Sequence, residues 1–394
     1  MPDEIAGRDL RLAGSVAADV ADAEAAIRQL NSTVTSLANT EALARLLLRA
    51  EAVASSHIEG LAIGGRRLLR AEAAGRAGEA GTDVTAAEVL GNIAAMDFAI
   101  HHLTSAVSLE GVLEMHRLLL ADTDRAGHAG QLRVQQNWIG GSSYNPCSAV
   151  FIPPPEGQVL GLMEDLCAFI NDDHLPAIAQ AAIAHAQFET IHPFVDGNGR
   201  TGRALVHVIL RRRGIAPRVV PPISLILATR AQDYVTGLTA FRYLGTPDDA
   251  DAMEGVNRWI ATFAAATTRA ALDAAAFEDR IRGLQASWLS RLGRVRARST
   301  VAELLERLPG TPIVTVGSVA GLVGRTGPAA SGAIDRFVEA GILRQVTVGR
   351  RNRAWEATEV VDAFTDLERM LASPTGDTRS AKPTRAVPAR RGRH

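Results

Sequence analysis

Apolar positions along the chain recur mostly at three- and four-residue spacing, which predicts helices almost throughout. Val16 to Leu30 is an Ala-rich helical segment. Thr40 can cap a run in which Leu43, Leu46, Leu47, Ala50, Val53 and Ala54 form one apolar stripe, ending around Ser55 to Gly60 with Gly60 as the terminal glycine. Arg66 to Thr82 is rich in Gly, Ala and Arg and is expected to be a mobile loop. Helical spacing returns in Ala86 to Leu103, Leu109 to Ala121, Glu156 to Asn171 and Ala177 to Arg213, the last interrupted once, and then in Arg230 to Leu244 and Asp251 to Leu292. His116 lies among apolar residues and is expected to be a packed core histidine. Trp138 to Gly141 and Ala149 to Ile152 are instead short and β-prone, with turn residues between them and Pro153-Pro154-Pro155 after them. They predict one hairpin that must lean on the core, because an isolated hairpin is marginal in water.

From Ser299 the pattern changes. Helices are expected over Val301 to Leu308, Val316 to Val323 and Pro328 to Ala340, followed by β-prone Val346 to Val348, a turn at Gly349 to Arg353, and Ala354-Trp355. Three helices and a two-stranded basic wing resemble a winged helix-turn-helix domain, whose third helix could enter a DNA groove. Between Thr311 and Ala372, however, seven Arg face seven Asp plus Glu, so the basic footprint of a DNA binder is missing and a docking or dimerising role stands equally open. Residues 373 to 394, rich in Pro, Ser, Thr and Arg, are expected to be disordered.

Composition changes this picture little. The 394 residues are 47% hydrophobic and 22% charged with a net charge of −1, enough for two or three domains and without a global pull toward nucleic acid or membrane. Lys382 is the only lysine. Cys147 and Cys167 lack metal-ligand spacing, and no run approaches the ~18 apolar residues of a membrane span, so a reducing cytoplasm is expected.

The chemistry concentrates where the helical pattern breaks, in Ile191-His192-Pro193-Phe194-Val195-Asp196-Gly197-Asn198-Gly199-Arg200-Thr201-Gly202-Arg203. Pro193 forces the preceding residue out of the helical region, Asp196 to Gly199 is turn chemistry, and Arg200 onward is helical again. Arg200 and Arg203 share one face of the new helix's first turn, where the dipole disfavours cations unless an anion accompanies them. The backbone N–H groups of Gly197, Asn198 and Gly199 form an anion cradle at the same place, and guanidinium forks suit phosphate. Asp196 adds a carboxylate able to hold Mg²⁺ between phosphates, and His192 is a candidate base near neutral pH. A calcium loop is excluded, because Arg200 stands where a third oxygen ligand belongs.

This stretch resembles the signature of the Fic (filamentation induced by cAMP) family, His-Pro-Phe-x-(Asp/Glu)-Gly-Asn-Gly-Arg-x-x-Arg, at every defined position. The resemblance implies an all-α fold, a Fic-type helical core with a short β-hairpin flap, here followed by the winged helix-turn-helix domain. The expected division is 1–105 for an N-terminal helical region, 106–295 for the core and flanking helices, 296–372 for the winged helix and 373–394 for the tail. It further implies transfer of AMP from ATP to a protein hydroxyl: His192 taking the proton, Asp196 binding Mg²⁺, Asn198 and the loop amides of Gly197 and Gly199 on the α-phosphate, Arg200 and Arg203 on the β- and γ-phosphates, and the target lying on the flap. Ser55-x-x-x-Glu59-Gly60 resembles the family's inhibitory motif, in which the glutamate pairs with the second signature arginine, here Arg203. On physical grounds alone Glu59 is a solvated residue in the last turn of a helix. Removal of AMP at the same site, a nucleotide-sensing DNA-binding or docking protein, and a homodimer remain open.

Overall fold

A computed structural model describes residues 1–32, 37–79, 83–141, 145–348 and 352–371. Eleven helices come first: α1 (Gly14–Ser32), α2 (Leu37–Ile58), α3 (Gly65–Arg76), α4 (Val84–His102), α5 (Leu109–Leu120), α6 (Glu156–Asn171), α7 (Ala177–Ile191), α8 (Asn198–Arg212), α9 (Ile223–Thr229), α10 (Ala231–Phe241) and α11 (Ala250–Leu292). Then follow α12 (Thr300–Arg307), β1 (Ile313–Val314), α13 (Val316–Val323), α14 (Gly327–Glu339), β2 (Arg344–Val348), β3 (Asn352–Glu356) and α15 (Thr358–Leu371). No helix among the described residues is long and apolar enough to cross a membrane.

The centre is α7, buried along its whole length. Its alanines at 177, 179, 181, 182, 184 and 186 let α6, α8, α10 and α11 approach from every side, so the stripe expected from its larger residues becomes a helix enclosed all round. Trp259 of α11 seals the packing, its Nε1–H donating to the Ala182 carbonyl at 2.7 Å. Before α1 the chain lies across this core as a strap: the Ile5 and Ala6 N–H groups donate to Asp165 of α6, and Gln187 of α7 donates to the Asp3 carbonyl.

At the other end the sheet has the order β1-β3-β2, antiparallel throughout, with Val314 opposite Trp355 and Gln345 opposite Trp355 on the other side. β1 and α15 lie outside the expected elements: β1 because two residues carry no periodicity, α15 although its buried Val360, Val361, Phe364 and Leu367 do fall at helical spacing. This C-terminal unit is welded to the rest. α11, 43 residues long and thus roughly 65 Å, packs Trp259 and Phe263 in the helical core and Trp288 under the C-terminal unit, where Trp288 and Arg291 both donate to Glu359. α2 also spans both parts, Arg49 donating to Gly310 O at 2.8 Å and pairing with Glu72 of α3.

Three expectations change. Residues 65–76 form helix α3 and not a mobile loop: Leu68, Leu69 and Ala73 are buried, and the arginines that made the segment look solvated reach partners distant in sequence. Arg66 and Arg70 bind the fully buried Glu356 of β3, and the Gly65 N–H donates to Glu368 of α15. Thr40 is not a cap, since α2 begins at Leu37. The flap runs are joined by a single antiparallel bridge, Ile139 to Phe151, because Gly140 and Gly141 take left-handed φ values of 73° and 75° that end any ladder there. The turn residues 142–144, the wing arginines Arg350 and Arg351 and the tail lie outside the described residues.

Glu356 is the pivot of the α3 clasp, surrounded by Arg66, Arg70 and Arg344. Glu356→Ala is expected to destabilise the protein by about 3 kcal/mol, the low end for breaking a buried ion pair because the arginines can turn to water. Thermal unfolding measures this, and an unchanged midpoint would show the clasp to be energetically neutral.

Candidate active site

The signature loop joins α7 to α8 and is held from three sides. His192 closes α7 in the left-handed region (φ 50°, ψ 61°), a conformation costly for a residue with a Cβ. Arg133, almost fully buried, holds it there: its Nε donates to His192 O at 2.9 Å, its backbone N–H to Pro193 O at 2.9 Å, and its Nη2 to Pro154 O beyond the flap. Within the loop, Asn198 staples Phe194, accepting from its N–H at 2.8 Å and donating to its carbonyl at 2.9 Å. Beneath it, His116 of α5 stacks on Phe194 at 3.7 Å between ring centroids. The Gly130 N–H donates to His116 Nδ1, so the ring proton sits on Nε2 and donates to Asp196 O at 2.9 Å. Burial drives the His116 pKa down to about 4, which keeps this neutral tautomer.

α8 starts at Asn198 after Gly197, which is left-handed at φ 77°. Its first-turn N–H groups face the space over Gly199. That space is filled by a carboxylate. Glu59 lies over Gly199 so closely that a Cβ there would overlap it, and its Oε1 accepts from Arg203 Nη2 at 2.7 Å. Arg203 is otherwise encased: Nε donates to Ser55 Oγ at 2.9 Å, Nη2 to Ser55 O at 2.8 Å, and Nη1 reaches the Tyr234 hydroxyl. Burial opposes its charge, but the carboxylate of Glu59 foremost, with that of Glu189, more than offsets this and holds its pKa above the ordinary guanidinium value.

Glu59 arrives by the end of α2. Gly60 is left-handed, with Gly60 N–H on His57 O and Leu61 N–H on Ser56 O, the paired bonds of a Schellman stop. Asn92 of α4 binds Ala52 O and Ser56 Oγ, and Glu51 of α2 accepts from Ser224 of α9. A carboxylate at a helix C-terminus is disfavoured; here it gains a buried arginine and the positive end of α8.

Arg200 is nearly as buried as Arg203 but poorly paired. Its Nε and Nη1 have no partner, and Nη2 is 3.7 Å from Asp196 Oδ2. Asp196 is half exposed, with Oδ1 accepting from the Gly197 N–H at 2.7 Å. His192 Nδ1 is also without a partner, and burial holds its pKa down at about 4. His192, Asp196, Gly197, Asn198, Gly199, Arg200, Arg203 and Glu59 are thus brought together about the start of α8, although the Asn198 side chain is committed to the loop. His116, Arg133 and Tyr234 belong to the same construction. Of these only His116 carried a sequence signal, and it pointed to the core.

The Fic/DOC family model matches residues 106–210, and the Fic/DOC family N-terminal model matches residues 17–101. Protein adenylyltransferase fic-1 of Caenorhabditis briggsae is 36% identical over 156 residues, 38% of this chain and 28% of that protein. Protein adenylyltransferase Fic of Drosophila melanogaster is 34% identical over 143 residues, 34% of this chain and 26% of that protein. The chain therefore matches little more than a quarter of either relative's length. A solved structure of a Fic family protein from Desulfovibrio desulfuricans aligns with a TM-score of 0.54 at 20% identity, covering 88% of this chain and 97% of its own. A Fic domain containing signaling protein from Bacteroides thetaiotaomicron aligns at 0.53 and 18% identity, covering 66% and 97%. At these identities the two structures speak to the fold alone.

The buried network sets an acid limit. His185, bonded to the Tyr234 hydroxyl at 2.8 Å, has its pKa lowered by burial to about 3 from 6.5. Between those values the unfolded chain holds the proton and the folded chain does not, so this contribution is present above about pH 6.5 and is lost as pH falls. His185→Gln should weaken the slope of stability against pH between 4 and 6 by one proton, about 1.4 kcal/mol per pH unit. Denaturation midpoints across that range give the slope, and parallel profiles would show that His185 does not resist protonation.

Proposed function

This chain belongs to the Fic/DOC family, and from that premise we propose that it is a self-inhibited protein adenylyltransferase, moving AMP from ATP to a Ser, Thr or Tyr hydroxyl of another protein. The observation that carries this is the Glu59 carboxylate seated over the first turn of α8 and bonded to Arg203, an anion site filled by the chain's own anion. The names of relatives 34% and 36% identical over the matched stretch support the same class of reaction.

In this scheme the triphosphate takes the ground that Glu59 holds. Arg203 meets the γ-phosphate once its partner leaves, Arg200 offers its unpartnered Nε and Nη1 to the phosphates, and the amides of Asn198 and Gly199 line the α-phosphate, with that of Gly197 joining once it leaves Asp196 Oδ1. The locked Asn198 contributes by fixing that loop. His192 accepts the hydroxyl proton as the oxygen bonds to the α-phosphorus and pyrophosphate departs. A target segment reaches the site over the flap, where Val150 and Ile152 leave 78% and 53% of their surfaces exposed, pairing by strand addition.

Asp196 fits a magnesium ion that arrives with nucleotide: a half-exposed carboxylate, with no cluster of three acidic, His or Cys ligands among the described residues to form a protein-only cage. Bound there, Mg²⁺ would neutralise charge between phosphates. The division into an N-terminal region, a core and a unit at 296–372 is part of the same proposal, and the C-terminal unit would contact DNA or protein.

Two outcomes test the scheme. Glu59→Gly should raise transfer of label from α-labelled ATP onto protein by at least about tenfold, equivalent to ~1.4 kcal/mol, and adding His192→Ala should return it to background. Equal labelling by Glu59→Gly and the parent would dismiss the brake, while release of AMP from modified protein would favour the reverse reaction. Asp196→Ala should leave residual transfer that no longer responds to Mg²⁺, and an ordinary Mg²⁺ titration would remove Asp196 as the ligand.

A further inference from the structure

One turn before His192, on the same side of α7, lies Glu189. Its carboxylate is buried, its Oε1 has no hydrogen-bond partner, and its Oε2 is 3.8 Å from His192 Nδ1, which makes no hydrogen bond of good geometry although the Glu189 carbonyl also faces the ring. Two orphaned polar atoms on neighbouring groups in a protein interior call for an explanation. A shift of about 1 Å would bring Oε2 within hydrogen-bond distance of Nδ1.

The groups around Glu189 make this more than a neglected core carboxylate. α8 supplies Arg203, and Gly202, where a Cβ would stand 3.1 Å from Glu189 Oε1. α10 supplies Tyr234, α7 itself His185, and the end of α2 Glu59. After α10, Arg242 donates to Glu189 O and Thr190 Oγ1 while its guanidinium covers the Phe151 ring of the flap at 3.8 Å. Glu189 therefore stands between the base and the arginine that holds the brake. Burial first, then the Glu59 charge, raises its pKa to about 7 against the opposing charges of Arg203 and Arg242.

We propose that Glu189 is a positioning residue for His192: its carboxylate accepts a hydrogen bond from Nδ1–H, leaving the Nε2 lone pair to face the incoming hydroxyl, and stabilises the imidazolium formed when that proton reaches Nε2. The proton stays on the imidazole, and Glu189 changes no bond. This rests on His192 being the base.

The test uses the full chain carrying Glu59→Gly. Glu189→Gln keeps the shape and removes the charge. It should lower kcat by about tenfold or more, leave KM for ATP within about twofold, and move the acid limb of the kcat profile to lower pH, because the carboxylate that favours the imidazolium is gone. Glu189→Asp should recover part of the rate. An unchanged plateau and acid limb in Glu189→Gln would overturn the proposal. A second measurement does not depend on transfer: ¹⁵N spectra of His192 at pH 8 should report the Nδ1–H tautomer in the parent and lose that bias in Glu189→Ala. A parent ring protonated on Nε2 would overturn the proposal even if AMP transfer is observed, and an Nδ1–H ring in a chain that transfers nothing would uphold the contact while rejecting the adenylyltransferase scheme.

Discussion

The whole arrangement depends on one buried guanidinium. Arg203 lies in the interior with four contacts of fixed geometry, three of them from the end of α2. A charge in that position cannot be left alone, since stripping its counterion costs several kcal/mol. Glu59 meets the need here, and in the proposed scheme a phosphate takes its place, the two being exclusive because both would occupy the space over Gly199. In the proposed scheme, inhibition is not a lid over a finished site; it is the occupation of an electrostatic requirement that the site cannot leave unfilled.

The pieces around Arg203 are rigid for stated reasons. Asn198 closes the loop on itself, His116 supports it from α5, and Arg133 binds the end of α7 to the chain that leaves the flap. These contacts hold the left-handed His192 and keep the first-turn amides aimed at one point. Preorganised donors contribute most where they need not move when charge arrives. The strain at His192 is therefore set against three carbonyl and amide contacts that fix both sides of it.

The signature loop was legible because its chemistry is local: proline, glycine and arginine act on residues within one turn. Gly60 was legible for the same reason. α3 was not, since what orders its arginines is Glu356, nearly 300 residues away, and composition alone gives a solvated loop. His116 is packing, as its apolar surroundings suggest, but the surface it packs is the signature loop, a fact only the fold contains. Arg133 sat in a stretch without periodicity. Glu189 disappeared into a run of good helix formers, where a carboxylate one turn from a histidine has no meaning until burial removes water from both.

Gly199 has a consequence for how such a protein can change. A side chain at this position would crowd out Glu59, yet under the proposed function it would stand in the space that the phosphates need, so the loop would offer no single step to an unrestrained enzyme. On that reading the mutational routes to constitutive activity would run through α2: its final turn, the Ser55 contacts, or the anchors at Asn92, Ser224 and Gly310. Variation can therefore adjust the threshold for release over a long helical surface while the phosphate-facing atoms stay unaltered. A sensitivity that drifts and a chemistry that does not is the pattern this geometry leaves to selection.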